Sequence, residues 1–272
     1  MKTYIVDSFT KEPFKGNPAG VCIADRQLPD PFMLKVAQEL GLSETAFIQT
    51  TDKPNTWSIR YFSPRMEIPL CGHATLAAAR IVLDQSSADE VVFTTFESVR
   101  LPVRRTEDAL AMEFPIYDAV PAEVPPELLA ALGIDHIVHS AFNRETQILM
   151  IEIADCTALK NLRPDFPALV KSHTAINGVL VTAASNDDDF DFHSRYFWPW
   201  SGTNEDPVTG GTHTFLAPYW SQKLNRKRLK SFQCSARTGS MEVEVRESTL
   251  RITGHATAVF SGNCLVAHNQ SR

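Results

Sequence analysis

Two stretches of the chain place reactive side chains around a glycine that opens a run of small residues. The first is Cys71-Gly72-His73-Ala74-Thr75-Leu76-Ala77-Ala78-Ala79. The second is Glu205-Asp206-Pro207-Val208-Thr209-Gly210-Gly211-Thr212-His213. Read as helix starts, both would present backbone N–H groups that lack intrahelical partners and carry partial positive charge. Such groups bind carboxylates, and a glycine lets a ligand approach the backbone closely. Two starts of this kind could grip one small anionic substrate. Each glycine taken alone is better explained by a tight strand-to-helix turn, and it is the repeat and the polar residues clustered at both turns that reverse the preference. A third segment, Ser43-Glu44, stands just ahead of the apolar Thr45-Ala46-Phe47-Ile48. Burial of a carboxylate favours its neutral form, which would make Glu44 a candidate acid/base near neutral pH. On spacing alone, the simpler reading of Glu44 is a solvated glutamate at a strand edge.

Other chemistries find less support. His136 and His139 are three apart, but no carboxylate or cysteine follows at ligand spacing, so no metal site is expected there. The run Asp187-Asp188-Asp189-Phe190-Asp191 lacks the glycine and terminal glutamate of a calcium loop and reads as a solvated turn. Lys223 to Lys230 holds five basic residues in eight and reads as a solvated helix end and loop. No phosphate-binding loop, nucleophile elbow or dinucleotide fingerprint is present.

The elements that must position these residues are written twice. Arg60-Tyr61-Phe62-Ser63-Pro64 recurs as Arg195-Tyr196-Phe197-Trp198-Pro199, an offset of 135 residues. Gly72 and Gly210 are 138 apart, and Ser98-Val99-Arg100-Leu101-Pro102-Val103 finds a counterpart in Ser240-Met241-Glu242-Val243-Glu244-Val245 at 142. A period near half the chain is too long for a solenoid and suggests two similar domains, with the ligand site expected in the cleft between them. In the first half, strands are expected at Thr3 to Phe9, Val21 to Ala24, Thr45 to Ile48, Trp57 to Phe62, Val91 to Thr95, Val99 to Arg104 and Ala109 to Phe114. Gly16 to Gly20 reads as a turn. Helices are expected at Pro31 to Leu40, stopped by Gly41, and at Gly72 to Leu83, whose alanines make it thin. The proline-rich stretch Asp118 to Pro126 reads as the linker. The second half repeats the order: Gln147 to Ile153, Gly178 to Ala183, Ser194 to Phe197, a helix from Gly210, then Met241 to Val245 and Leu250 to Thr253. The fold class is α+β, with mostly antiparallel strands wrapped around one long helix per half. Domains are expected at residues 1–117 and 118–272.

The 272 residues are 43% apolar and 21% charged, enough for a core that needs no disulfide or metal. A net charge of −6 weighs against a nucleic-acid or anionic-membrane partner. No apolar run approaches the roughly 18–20 residues of a membrane span, and Asp7 stands where a secretory signal would be apolar. Five cysteines without a C-x-x-C pair fit reduced thiols in the cytoplasm.

Four motifs carry a resemblance. Gly16-Asn17-Pro18-Ala19-Gly20-Val21, Leu42-Ser43-Glu44-Thr45-Ala46-Phe47, Pro69-Leu70-Cys71-Gly72-His73-Ala74-Thr75-Leu76-Ala77 and Glu205-Asp206-Pro207-Val208-Thr209-Gly210 resemble the phenazine-biosynthesis isomerase (PhzF-like) family. The resemblance implies the diaminopimelate-epimerase fold: two mirrored domains, each a barrel-like sheet around a central helix, with the last strand returning to the first domain. It also implies a cofactor-independent and metal-free isomerase, and a homodimer. Glu44 matches the family's general acid/base, which moves a proton on the ring of a dihydro-hydroxyanthranilate. His73 and Asp206 match its polar supports. Ser43, Cys71, Gly72, Thr209, Gly210, Gly211 and Thr212 match the surroundings of a small carboxylate substrate.

Two features depart from or complicate this pattern. After Thr209-Gly210 the family usually has a serine, a small residue and a histidine, whereas here Gly211-Thr212-His213 lacks the hydroxyl at 211. Cys71 reads first as a small packing residue. Yet a Cys71/Thr209 pair resembles the hydroxyproline-type dehydratases and epimerases of this fold, because a thiol at a helix N-terminus is acidified enough to act as a base. The non-enzyme alternative is a small-molecule-binding protein, which would not need Glu44, His73 and Asp206 together.

Overall fold

The chain folds from its N-terminus as β1 (Lys2–Ser8), β2 (Asn17–Ile23), α1 (Asp30–Leu40), β3 (Glu44–Thr50), β4 (Thr56–Phe62), β5 (Glu67–Ile68), α2 (Gly72–Asp84), β6 (Glu90–Thr95), β7 (Arg100–Arg105) and β8 (Leu110–Pro115). It continues as β9 (Ala119–Pro121), α3 (Pro126–Leu132), β10 (His139–Asn143), β11 (Ile148–Glu152), α4 (Cys156–Asn161), α5 (Phe166–Ser172), β12 (Gly178–Ala184), β13 (Phe192–Trp198) and β14 (Thr203–Asp206). The last elements are α6 (His213–Leu224), β15 (Arg228–Gln233), β16 (Gly239–Val245), β17 (Thr249–Gly254) and β18 (Ala256–Asn263). This computed structural model describes residues 1–266. Unit 1 comprises Met1–Glu113 with the chain from Thr253 onward, and unit 2 comprises Phe114–Ile252.

The repeat seen in the sequence is a repeat of strand pairing. In unit 1, β1–β2 is antiparallel, β2–β3 parallel, β3–β4 and β4–β5 antiparallel, β4–β6 parallel and β6–β7 antiparallel. Unit 2 takes the same steps: β10–β11 antiparallel, β11–β12 parallel, β12–β13 and β13–β14 antiparallel, β13–β15 parallel and β15–β16 antiparallel. Each first strand gains a second antiparallel neighbour, β18 on β1 and β9 on β10. This is the α+β architecture of mostly antiparallel sheets around central helices.

Helix α2 buries His73 through Ala79 and Ile81 through Leu83, so nearly its whole circumference is covered. It packs on β1, β2, β3, β6, β7 and β18. Alanines at 74, 77, 78 and 79 let strands approach at close-packed density. Helix α6 buries His213 through Ala217 and Trp220. The Trp220 ring stacks on Phe192 at 5.5 Å and its Nε1 donates to Thr182 Oγ1 at 3.0 Å.

The Arg-Tyr-Phe echo has a physical meaning. Arg60 on β4 forks onto both carboxylate oxygens of Glu67 on β5, at 2.7 and 2.6 Å, and lies over the Phe62 ring. Arg195 on β13 forks onto Glu205 on β14, at 2.7 and 2.8 Å, and lies over Phe197. The same bidentate clasp holds the short strand before each central helix.

Several expectations need correction. Residues 17–20 are not a turn but the start of β2, paired from Ser8↔Asn17 onward. Pro18 is tolerated there because β2 meets β3 only from Ala19. The supposed linker contains β9. The α-helical start of α6 is His213 rather than Gly210, with the preceding turn wound by i→i+3 bonds from His213 N to Gly210 O and Thr214 N to Gly211 O. Lys223 is not a solvated end, since its Nζ binds both oxygens of buried Glu152 at 2.6 Å. All five cysteines are free thiols. Among the described residues, no helix is long and apolar enough to cross a membrane.

Candidate active site

Glu44 is the first residue of β3. Gly41 caps α1 in the left-handed conformation, at φ 63°, and turns the chain into this strand. Parallel pairing to Ala19 then fixes the strand's start. The carboxylate is buried, at 9% exposure. Helix α2 delivers the rest of the group. Cys71 is its N-cap residue, in extended conformation, and Gly72 is its first residue. The Cys71 carbonyl accepts Thr75 N at 3.0 Å and Thr75 Oγ1 at 2.7 Å, while the Thr75 hydroxyl also meets Tyr61 Oη at 2.5 Å. Ser8 Oγ donates to the His73 carbonyl at 2.7 Å. The first turn is therefore held from β1 and β4 at once.

Within this frame His73 sits between its neighbours. Its Nε2 is 3.3 Å from Glu44 Oε2 and 3.5 Å from Ser43 Oγ, and its Nδ1 is 3.4 Å from Cys71 Sγ. Burial pushes the imidazole below its usual pKa, against the pull of Glu44. A neutral imidazole has one N–H. The geometry is satisfied when Nε2–H donates to Glu44 and the Cys71 thiol donates to Nδ1. The donor atoms of Glu44, Cys71 and His73 all lie within 4.8 Å of one another.

Unit 2 carries its own polar group. Asp206 ends β14, opposite Tyr196, and is buried. Thr209 Oγ1 donates to Asp206 Oδ2. Gln233 on β15 clips this loop at both ends, with Nε2 donating to Asp206 O at 2.7 Å and Oε1 accepting Thr209 N at 2.9 Å. Buried His213 lies 3.0 Å from Thr209 O through Nδ1 and 2.7 Å from Ser231 Oγ through Nε2. Burial pushes it down to about 4, so it is neutral, with Nδ1–H donating to the carbonyl and Nε2 accepting from serine. The Thr212 hydroxyl is spent inside the turn, donating to Thr209 O at 3.0 Å, and does not stand in for the hydroxyl missing at 211. Gly211 is exposed, and a Cβ there would meet nothing within 4 Å. What Gly210, Gly211 and Thr212 offer a ligand is backbone N–H at a helix start.

Glu44, His73, Cys71 and Ser43 thus meet in unit 1, and Asp206 meets Thr209 at the head of α6 in unit 2. Glu205, close in sequence, serves Arg195 instead. Ser8, Tyr61, Gln233 and Ser231 escape a sequence reading because they reach the site from other strands. His213 was visible beside the second motif.

Comparison with known proteins follows the same residues. The model of the family described as "Phenazine biosynthesis-like protein" matches residues 6–262. The chain belongs to the phenazine biosynthesis-like family. An uncharacterised isomerase of Pseudomonas aeruginosa is 42% identical over 258 residues, covering 94% of this chain and 96% of that protein. A crystal structure of a PhzF-family phenazine biosynthesis protein from Enterococcus faecalis superposes with TM-score 0.90 at 36% identity, covering 97% of this chain and 99% of that one. The fold alone extends further, to a probable proline racemase of Agrobacterium radiobacter K84, with TM-score 0.61 at 12% identity and coverage of 98% and 93%. All four motifs that carry the family resemblance fall inside the matched span.

Proposed function

We propose that this family member is a cofactor-independent isomerase that moves a proton on a small cyclic carboxylic acid, with Glu44 as general acid/base. The observation that carries the reading is the buried Glu44 carboxylate, 3.3 Å from the Nε2 of an imidazole that burial keeps neutral. In this mechanism the Glu44 carboxylate takes a proton from a ring carbon beside a conjugated system. The electron pair left behind spreads into that system, and Glu44 returns the proton to another ring carbon. His73 positions the carboxylate through one hydrogen bond. Each unit offers helix-start N–H groups suited to a carboxylate, at Gly72 in unit 1 and at Gly210 to Thr212 in unit 2, and in unit 2 Asp206 with Thr209 offers partners for polar substituents. General acid/base action supplies about 10²–10⁴-fold, and positioning supplies the remainder. The named relative in Pseudomonas aeruginosa supports an isomerase, and the dihydro-hydroxyanthranilate-type substrate rests on the family resemblance. The same reading places the protein in the cytoplasm, in keeping with five free thiols, as a homodimer that light scattering would detect.

Proton exchange in D₂O, followed by NMR, tests the chemistry. The panel is dihydro-hydroxyanthranilate, hydroxyprolines, proline and diaminopimelate. Glu44→Gln is expected to lose exchange by about 10²–10⁴-fold while still binding substrate, and Cys71→Ala to retain it. Loss in Cys71→Ala alone would move the assignment to dehydratase or epimerase chemistry on Cys71 and Thr209. Substrate binding that never leads to exchange would indicate a binding protein.

A further inference from the structure

We infer that Glu44, Cys71 and His73 form a binding site for a thiophilic divalent cation of the Zn²⁺ or Co²⁺ class, and that such a cation inhibits the protein by occupying its acid/base group. The donor set is one thiol, one imidazole and one carboxylate, all buried at 7–9% exposure and all within 4.8 Å of one another. Tetrahedral Zn²⁺ takes these three ligand types at roughly 2.0–2.3 Å, which sets N···O edges of about 3.3 Å and S···N edges of about 3.6 Å. Here the N···O spacing is 3.3 Å, and Cys71 Sγ stands 3.4 Å from Nδ1 and 4.0 Å from Nε2 of His73. The nitrogen–oxygen edge at Nε2 is already in place, and the Cys71 sulfur must close on Nε2 from 4.0 Å to complete the third corner, leaving the fourth to water.

The charge balance is favourable. Binding forms a sulfur–metal and a nitrogen–metal bond: the Nε2 proton leaves to solvent and the thiol proton passes to Nδ1, a net loss of one proton, so that thiolate and carboxylate together cancel the divalent charge. A neutral complex is tolerated at a buried position where a bare cation is not. The bound cation would use Glu44 Oε2 and His73 Nε2, the two atoms that the isomerase mechanism needs. The inhibitory consequence rests on that mechanism, but the binding site does not.

Titration of the purified chain with Co²⁺ tests the site directly. The expected result is one equivalent bound, a thiolate-to-metal charge-transfer band in the near ultraviolet, release of a proton, and reversal by Zn²⁺. Cys71→Ser should abolish the band and weaken binding by more than the roughly 10–100-fold caused by outer-shell changes. Glu44→Gln should weaken binding but keep the band. Cys234→Ser, which alters a half-buried thiol in unit 2, should change neither. A wild-type protein without the band, or a band that survives Cys71→Ser, would overturn the site. If exchange persists in Glu44→Gln while the band is present, the isomerase mechanism fails and the cation site stands. If exchange depends on Glu44 but Co²⁺ neither binds nor inhibits, the reverse holds.

Discussion

His213 shows how a single side chain can tie the candidate site to pH. It is fully buried, bonded to Thr209 O and Ser231 Oγ, and depressed to about 4. In the unfolded chain it titrates near 6.5. Below that value the unfolded state binds the proton that the folded state refuses. The stability associated with neutral His213 is thus complete above about pH 6.5 and is lost as pH falls towards 4. The window amounts to about 3 kcal/mol. Urea denaturation at steps across that range should show a steep acid-side fall in the wild type and a shallower one in His213→Gln, whatever the variant's stability at pH 7. Equal slopes would disprove the assignment. Some residues of the site were legible because glycine, proline and carboxylate cluster in short motifs, as at 71–73 and 206–210. Gln233 and Ser8 were not, because each serves the site by a side-chain bond across 27 and 65 residues of sequence. Only the sheet pairing brings them in.

Among the elements, the two arginine clasps offer a controlled comparison. Arg195 and Glu205 side chains are 8% and 17% exposed, against 24% and 22% for Arg60 and Glu67. Arg60 also reaches Asp30, so it keeps a partner when Glu67 is lost. Arg195 falls back only on the carbonyls of Leu159 and Leu162. Stranding a buried charge costs about 3–5 kcal/mol, whereas exposed pairs give about 0–1 kcal/mol. Glu205→Ala is expected to lose about 3 kcal/mol and Glu67→Ala about 1 kcal/mol by chemical denaturation. Similar losses would mean that β5 and β14 depend on something other than the clasp. At this scale most strands of the first half could be read from their pattern and both central helices from their glycine-led small-residue runs, whereas β10, β15 and β18 were not among the expected strands. Helices α3, α4 and α5 were missed because six or seven residues hold too few turns to show it. The overlooked signal lay in the caps: Asp155 accepts Thr157 N, and Asp165 accepts Ala168 N. At Gly16-Asn17-Pro18, local turn chemistry suggested a break, and antiparallel pairing with β1 overrode it.

For the molecule as a whole, the pairing of β1 with β18 sets the order of events. Unit 2 is one continuous stretch, whereas unit 1 closes only when residues from both ends of the chain meet. Closing so long a loop is entropically costly and slow. Pulse-labelling hydrogen exchange during refolding is expected to protect β12 amides before β18 amides. Simultaneous protection would show that the two units fold as one. The duplication itself was readable from three sequence echoes. The interleaving of its ends came only from the family resemblance, because nothing in the composition of β18 names its partner.

That closure has a consequence for how the protein is made. Ser8 is synthesised about 250 residues before its partner Ala256. At translation rates of about 5–20 residues per second, β1 waits roughly 10–50 s for its second neighbour. Throughout that interval one side of β1 is an open edge, available to any other extended chain. The half of the protein that emerges first is the half completed last.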